Sequence, residues 1–200
     1  MVLITIYNPV CGTAAAKAFF DDHVLPLLID HSIAVHRTFA TEYCGHAGEI
    51  VRDLLVDQEE DKLQVILLSG DGTLHEIVNC LSSRPVPQTN RTLSLILVPC
   101  GTANALYSSL YPPDSYQPKN GPYELQSLFA YVSSAPHMNP LRIAVNTMFS
   151  PPSSPLAEVL SAVVTSTCMH AAILHDSEKL RWEYPGLDRF VTFLIPHVNC

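Results

Sequence analysis

The chain has 200 residues, 48% of them hydrophobic, and its formal net charge is −8. This size fits one α/β domain with part of another, and the apolar content is sufficient for a sizeable core. The acidic balance excludes the basic footprint of a nucleic-acid-binding protein and argues against standing attraction to anionic membranes.

Apolar strand patterns and helical patterns alternate along the chain. Strands are predicted at residues 2–7, 33–38, 63–69, 93–98 and 141–146. Helices are predicted at residues 14–29, 45–56, 74–81, 102–109 and 124–132. Such alternation is typical of a mostly parallel sheet with helices on both faces. The predicted fold class is therefore α/β, as a three-layer, Rossmann-like domain.

The cysteines and the first residues indicate a reduced, intracellular protein. Six cysteines are scattered without a Cys-x-x-Cys pair, and nine histidines occur singly, without metal-ligand spacing. Residues 1–7 are too short for a secretory signal and run directly into a turn. No apolar run approaches the roughly 20 residues that span a bilayer. We therefore expect thiols rather than disulfides, and no metal site built from histidine and cysteine.

The strand at residues 63–69 runs into Ser69-Gly70-Asp71-Gly72-Thr73-Leu74-His75-Glu76. Glycines at a strand-to-helix turn let the backbone pass close to a phosphate, and the N–H groups at the helix start attract anions. The embedded carboxylate of Asp71 could then act as a base or lie near a metal that bridges phosphates. The alternative is a plain turn that binds nothing.

Two more turns of this kind follow other predicted strands. Asn8-Pro9-Val10-Cys11-Gly12-Thr13 follows the first strand, and Pro99-Cys100-Gly101-Thr102-Ala103-Asn104 follows the fourth. In an open parallel sheet these turns all lie at the carboxyl ends of the strands, where ligands bind. The three turns together predict a nucleotide-binding domain.

The ordered set of turns resembles the catalytic domain shared by diacylglycerol kinases, sphingosine kinases and ceramide kinases. The resemblance covers nearly the whole chain and rests on Asn8-Pro9 with Gly12, on residues 69–76, and on Pro99 with residues 101–104. Two further matches favour the sphingosine kinase branch. One is Thr41-Glu42 followed by His46-Ala47 and Glu49, and the other is residues 177–181 followed by Arg189-Phe190.

The resemblance implies transfer of the γ-phosphoryl group of ATP, with Mg²⁺, to a lipid hydroxyl. The acceptor would be a sphingoid long-chain base, ceramide or diacylglycerol at a membrane surface. The implied location is the cytoplasm, with transient peripheral contact at intracellular membranes and no nucleic-acid partner. The resemblance also implies that Asp71 is the base that takes the lipid hydroxyl proton.

The resemblance further implies a set of nucleotide contacts. Glu178 would reach the adenosine end, and Arg181 and Arg189 would offset phosphate charge. The complete implied set is Asn8, Gly12, Thr41, Ser69, Gly70, Asp71, Gly72, Gly101, Thr102, Asn104, Glu178, Arg181 and Arg189.

Structural roles compete with several of these assignments. Asn8 has the side chain of a helix cap, and so do Thr73 and Thr102. His75 and Glu76 lie in a first helical turn, where an acidic residue favours the helix dipole. Arg181 could form a surface pair with Glu178 three residues earlier, worth roughly 0.2–0.5 kcal/mol.

Three departures from the family pattern limit the prediction. The first loop continues Thr13-Ala14-Ala15-Ala16, where related kinases often have more glycine and a lysine, and Lys17 cannot take that place without a shift. Leu174 stands where sphingosine kinases have an acidic head-group residue, which leaves the acceptor open. Residues 1–149 are predicted as the kinase domain. The third departure is length, because residues 150–200 are predicted as a linker and only the incomplete beginning of a β-rich lipid-binding domain, with a strand at 191–195.

Two other functions compete with a lipid kinase. Without a full second domain, the chain could be a non-catalytic module that binds a nucleotide or a partner. A kinase of a soluble substrate, such as an NAD kinase, also carries a Gly-Asp-Gly-Thr turn. Residues 99–104 and 177–181 argue against this last alternative.

Overall fold

A parallel sheet forms the centre of the molecule. The computed structural model describes residues 2–57, 60–83, 91–116, 121–133, 138–148, 157–163, 175–180 and 183–184. Within them, strands β1 (Val2–Tyr7), β2 (Arg37–Ala40), β3 (Lys62–Ser69) and β4 (Thr92–Pro99) lie in the order β2-β1-β3-β4, and all neighbours are parallel. The order reverses between β1 and β3, which is where open α/β sheets bind ligands. The predicted α/β fold with a mostly parallel sheet is confirmed.

Helices cover both faces of this sheet. In chain order they are α1 (Ala16–Phe19), α2 (Leu25–Asp30), α3 (His46–Asp57), α4 (Asp71–Ser83), α5 (Ala105–Leu110) and α6 (Gln126–Val132). None of the helices in the described ranges is long and apolar enough to cross a membrane.

Side chains of alternate strand residues separate the core into two layers. On β1, Ile4 and Ile6 belong to the cluster that includes buried residues of α3 and α4. Leu3 belongs to the opposite cluster, with Phe20 and Leu28 near the first helices and with Leu128 of α6. The period of two along a strand therefore places apolar residues on both faces, as a doubly covered sheet requires.

The helix predicted at residues 14–29 begins later and is not uniform. Ala14 has φ = 60°, a left-handed conformation that a helix cannot include, and α1 begins at Ala16. A π-helical segment, Phe20–Val24, joins α1 to α2. Pro26 explains this segment because proline has no N–H to continue the ladder of hydrogen bonds.

Three other boundaries differ from the prediction. β2 begins at Arg37 rather than residue 33, because its pairing with β1 starts at that residue. α4 begins at Asp71 rather than at residue 74, and Gly70 is the single residue between it and the end of β3. α5 begins at Ala105 rather than residue 102, because Asn104 has a left-handed φ of 50°.

A hairpin lies outside the parallel sheet. The strand predicted at 141–146 is β5 (Ala144–Met148), and it pairs antiparallel with β6 (Ala157–Ser161). The Asn79 amide of α4 donates to the Leu160 carbonyl and accepts from the Leu160 N–H, each at 2.9 Å. Asn79 thus pairs with β6 as a neighbouring strand would, and anchors the hairpin to α4.

Replacing Asn79 by alanine is expected to release this hairpin. The Leu160 N–H and carbonyl would lose their shared partner, which costs about 1–3 kcal/mol where such groups stay buried. Hydrogen exchange at residues 157–161 should accelerate while the central strands keep their protection. Ser83→Ala is the control, because that hydroxyl bonds only within α4, to the Cys80 carbonyl. Unchanged exchange in Asn79→Ala would contradict the anchor.

The predicted division at residue 149 stays a prediction. The strand predicted at residues 191–195 lies outside the described residues.

Candidate functional site

The three glycine-containing turns meet at the carboxyl edge of the sheet. A Cβ on Gly12, whose φ is +53°, would lie 2.3 Å from the Cys100 carbonyl oxygen. A Cβ on Gly101 would lie 2.4 Å from the Gly70 Cα. Real Cβ atoms do not approach other atoms so closely. Glycine is therefore required at Gly12 and Gly101 for the three backbones to meet.

The turn after β4 is held in shape by its own asparagine. The Asn104 side chain accepts the Gly101 N–H at 2.9 Å and donates to the Gly101 carbonyl at 2.7 Å. Asparagine is one of the few residues that tolerates the left-handed backbone found here. Asn104 therefore shapes this turn, and Thr102 does not begin the helix as a cap.

Asp71 connects the second turn to the third. Its carboxylate oxygens accept the N–H groups of Ala105 at 2.6 Å and Leu106 at 3.2 Å, at the start of α5. A negative group there satisfies N–H groups that have no partner inside the helix. Each carboxylate oxygen has a second lone pair, so these bonds leave Asp71 able to accept a proton from a ligand.

The first turn is connected to the second by Asn8. The side-chain Nδ2 of Asn8 donates to the Thr73 hydroxyl at 3.3 Å, and the side-chain Oδ1 accepts the Val10 N–H at 3.0 Å. The alternative in which Asn8 caps the first helix is not observed, because the N-cap of α1 is Ala15. Asn8 therefore holds the first turn against the first turn of α4.

An open cleft of about 310 Å³ lies between the first and third turns. Its lining includes Gly12, Thr13, Ala15, Ala16, Phe19, Pro99, Cys100, Gly101, Thr102 and Glu124. Lys17 lies just beyond, and its ammonium group is paired with Asp21. The described lining thus offers backbone groups and hydroxyls to a ligand, but no basic side chain.

A fourth segment reaches this region through Glu76. The Thr41 N–H donates to the carbonyl of Tyr7, the last residue of β1. The Glu76 carboxylate accepts the Gly45 N–H at 2.9 Å and the Cys44 thiol at 3.3 Å. Glu76 thus anchors the loop between Thr41 and α3. The helix-dipole role expected for it is not observed, because α4 begins at Asp71 and Glu76 lies beyond its first turn.

Glu76 also controls the reactivity of Cys44. Its hydrogen bond and negative charge raise the pKa of this exposed thiol. At pH 8 less of the Cys44 thiol is ionised than usual, and the thiolate is the reactive form. Glu76→Gln should lower this pKa and speed alkylation of Cys44 by iodoacetamide several-fold, measured by peptide mass spectrometry. The rate at Cys80 is the internal control, and an unchanged Cys44 rate would contradict the contact.

The other predicted site residues have different positions. Ser69 is buried at the end of β3, and Gly72 lies in the first turn of α4, where a Cβ would meet no atom within 4 Å. Glu178 lies in the 3-10 helix Glu178–Leu180, and its place at an adenosine stays a prediction. Arg181 and Arg189 lie outside the described residues.

Sequence reasoning missed one contact at the centre of the site. Cys11 and Cys100 belong to different turns, yet Cys100 packs against the buried cluster that contains Cys11. A signal was present, because the tripeptide Cys-Gly-Thr occurs at both 11–13 and 100–102. Two copies of one turn sequence at the same edge of a sheet could have predicted that they meet.

Comparison with known families gives a match over more than half of the chain. Residues 2–128 match the model of the diacylglycerol kinase catalytic domain. These residues include the three turns and the parallel sheet that positions them.

Curated relatives that match the chain are lipid kinases by name. Human sphingosine kinase 1 is 35% identical over 108 residues, which cover 54% of this chain and 27% of that protein. Human sphingosine kinase 2 is 29% identical over 119 residues, covering 60% and 18%. Sphingoid long chain base kinase 5 of Saccharomyces cerevisiae is 33% identical over 111 residues, covering 54% and 15%. The matched part spans less than a third of each of these relatives.

Among solved structures, a diacylglycerol kinase from Bacillus anthracis str. Sterne aligns with a TM-score of 0.49 and 20% identity. The alignment covers 73% of this chain and 43% of that chain.

Proposed function

Because the chain belongs to the diacylglycerol kinase catalytic domain family, a family of lipid kinases, we propose that it binds ATP with Mg²⁺ and directs the γ-phosphoryl group to a lipid hydroxyl. The matched relatives are named for sphingosine and long-chain bases. A sphingoid base is therefore the first acceptor to test, with ceramide and diacylglycerol as alternatives.

One observation carries this proposal: three backbones meet where a Cβ would not fit. Gly12 lies against the Cys100 carbonyl, and Gly70 against Gly101. The glycines let the three turns converge at the carboxyl ends of parallel strands, where open α/β sheets bind ligands, and a cleft of about 310 Å³ lies between two of these turns. The residues present therefore fit a nucleotide phosphate chain beside the cleft.

In this proposal the chain's residues mainly position the reactants. Asn8, Asp71 and Asn104 fix the three turns relative to one another through the contacts described above. Phosphoryl transfer needs positioning and charge stabilisation more than covalent help from the protein, so a rigid set of turns is the expected machinery. Asp71 would take the proton of the lipid hydroxyl at its carboxylate.

When bound, Mg²⁺ would neutralise negative charge on the phosphate chain. Among the described residues, no group of three or more His, Cys, Asp or Glu side chains could hold a metal ion. The carboxylate that the turns would offer to the ion is that of Asp71. Arg181 and Arg189 are proposed to add positive charge, and Glu178 to contact the adenosine.

The remaining parts of the proposal concern the lipid and the second domain. Lipid acceptors reside in membranes, so we propose transient peripheral contact with intracellular membranes from the cytoplasm. We further propose residues 1–149 as the kinase domain, and residues 150–200 as a linker and the beginning of a β-rich lipid-binding domain.

A non-catalytic nucleotide-binding or partner-binding module is the second candidate. The cleft favours it in one respect: its described lining has Glu124 but no basic side chain, and Lys17 is paired with Asp21. A cleft with this charge would hold a polyphosphate more weakly than one with a lysine. Binding without turnover would distinguish the module from the kinase.

Titration calorimetry with ATP tests the nucleotide site. We expect binding in the presence of Mg²⁺ and its loss in Gly12→Ala, whose Cβ would collide with the Cys100 carbonyl oxygen. Lys17→Ala is the matched control, since its side chain pairs with Asp21 and should leave the affinity unchanged. Folded wild-type protein that shows no heat of binding with ATP and Mg²⁺ would contradict the proposal.

A further inference from the structure

Two cysteines lie beside the cleft, where the first and third turns are in contact. Cys11 is 6% exposed, and Cys100 is half-buried and lines the cleft. Cys11 belongs to a buried apolar cluster against which Cys100 packs, although 89 positions separate them along the chain.

The backbone explains why the two cysteines stay together. Gly12 follows Cys11 directly, and the missing Cβ of Gly12 lets it lie against the Cys100 carbonyl. The turn of Cys11 is further closed by the bond from the Ala14 N–H to the Cys11 carbonyl, at 2.8 Å. Cys100 is fixed in turn by its N–H, which donates to the Ser69 carbonyl at 3.0 Å. The pair therefore sits on two constrained backbones rather than on mobile loops.

We propose that Cys11 and Cys100 form a dithiol site that a mild oxidant converts to a disulfide joining the first and third turns. With hydrogen peroxide as the oxidant, one thiol becomes a sulfenic acid and the first water leaves. The sulfur of the second thiol then displaces the hydroxyl group as a second water, and the S–S bond forms. The two cysteines lose two electrons and two protons, which the peroxide takes up.

The surroundings of Cys100 protect the dithiol at neutral pH. The hydrogen bond to Cys11 and burial raise the pKa of the Cys100 thiol above its usual range, and the negative charge of Glu124 adds to this. A thiol that keeps its proton reacts slowly with oxidants. Oxidation should therefore need added peroxide and should accelerate as the pH rises.

The disulfide would fix the distance between two walls of the cleft. Gly12 and Thr13 on one side, and Gly101 and Thr102 on the other, directly follow the joined cysteines. A change in nucleotide affinity on oxidation would follow, and this consequence alone rests on the proposed function. The disulfide itself can form whether or not the cleft binds ATP.

The test treats the whole chain with hydrogen peroxide, blocks the remaining thiols, and maps peptides without reduction. The expected result is a peptide containing Cys11 linked to one containing Cys100, with two fewer alkylatable cysteines and full recovery on addition of dithiothreitol. Cys44→Ser and Cys80→Ser should keep this link, whereas Cys11→Ser and Cys100→Ser should each lose it.

A second probe needs no oxidation. Phenylarsine oxide bridges two neighbouring thiols, so one equivalent should bind the wild-type chain, and neither Cys11→Ser nor Cys100→Ser should retain it. A link from Cys100 to any other cysteine, or sulfinic acid at Cys100 with no link, would overturn the proposal. Failure of phenylarsine oxide to protect both cysteines from alkylation would overturn it as well.

Discussion

Gly101→Ala is expected to destabilise the chain and weaken nucleotide binding. The added Cβ would lie 2.4 Å from the Gly70 Cα, 2.9 Å from the Asn104 Oδ1 and 3.1 Å from the Gly70 N. Two of these atoms belong to the backbone, so no change of rotamer can relieve the collision. The turns after β3 and β4 would have to separate.

The expected cost is about 1–3 kcal/mol in the free energy of unfolding, the range for an extra group in a closely packed place. Nucleotide affinity should fall by about tenfold or more, because the turns would no longer converge on one ligand. Chemical denaturation and calorimetry with ATP and Mg²⁺ measure the two effects on the same preparation.

Gly72→Ala is the matched control for stability. Gly72 lies in the first turn of α4, two residues after Gly70, and a Cβ there would meet nothing within 4 Å. Alanine in place of a helical glycine should leave stability unchanged or raise it by about 0.5–1 kcal/mol. Equal stabilities for Gly101→Ala and Gly72→Ala would show that the turns do not meet as described.

Asp71→Asn is expected to lose phosphoryl transfer while the fold survives. Asparagine keeps an oxygen that can accept the Ala105 or Leu106 N–H, but it cannot take a proton as a carboxylate does. Loss of a general base typically lowers turnover by about 10²–10⁴-fold. In Asp71→Asn the lipid kinase rate should therefore fall, whereas the thermal unfolding temperature should stay close to that of the wild-type chain.

Asp71→Ala tests the structural part of the same side chain. Both N–H groups at the start of α5 would lose their acceptor, and the loss of a side chain that caps a helix costs about 0.5–2 kcal/mol. We expect Asp71→Ala to unfold at a lower denaturant concentration than Asp71→Asn. If Asp71→Asn retains wild-type turnover, Asp71 connects the turns but is not the base.

The centre of the sheet could be predicted because β1, β3 and β4 are mainly apolar runs, with β3 followed by Gly70 and β4 ending at Pro99. β1 was predicted at its observed bounds, and β3 and β4 to within one residue at each end. An apolar run of this length indicates a strand that is buried on both faces of a sheet. The run can be recognised from the sequence of that segment alone. The parallel arrangement followed from the alternation of strands with helices.

Boundaries at the turns could not be predicted, because contacts distant in sequence set them. α5 starts after Asn104 because that residue is left-handed and bonds to Gly101, and because Asp71 accepts the first N–H groups. The hairpin of β5 and β6 depends on Asn79, whose amide mimics a strand edge. Nothing in the local sequence of α4 marks one asparagine for that role.

The meeting of the three turns could be predicted, but not the hydrogen bonds that connect them. Turn composition placed Gly12, Gly70 and Gly101 at one edge of the sheet, and the structure brings them together. The partners of Asn8, Asp71 and Glu76 are backbone or hydroxyl groups of other turns, and residue type alone does not specify such partners. Assignments to Glu178, Arg181 and Arg189 stay predictions.

The most direct test of the account is transfer of label from radioactive ATP, with Mg²⁺, to lipid. Mixed micelles would present sphingosine, ceramide or diacylglycerol to the wild-type chain and to Asp71→Asn. The account predicts a labelled lipid with the wild-type chain, most of it from the sphingoid base, and its loss in the variant. Absence of labelled lipid from folded protein that binds ATP with Mg²⁺ would contradict the kinase and favour the non-catalytic module.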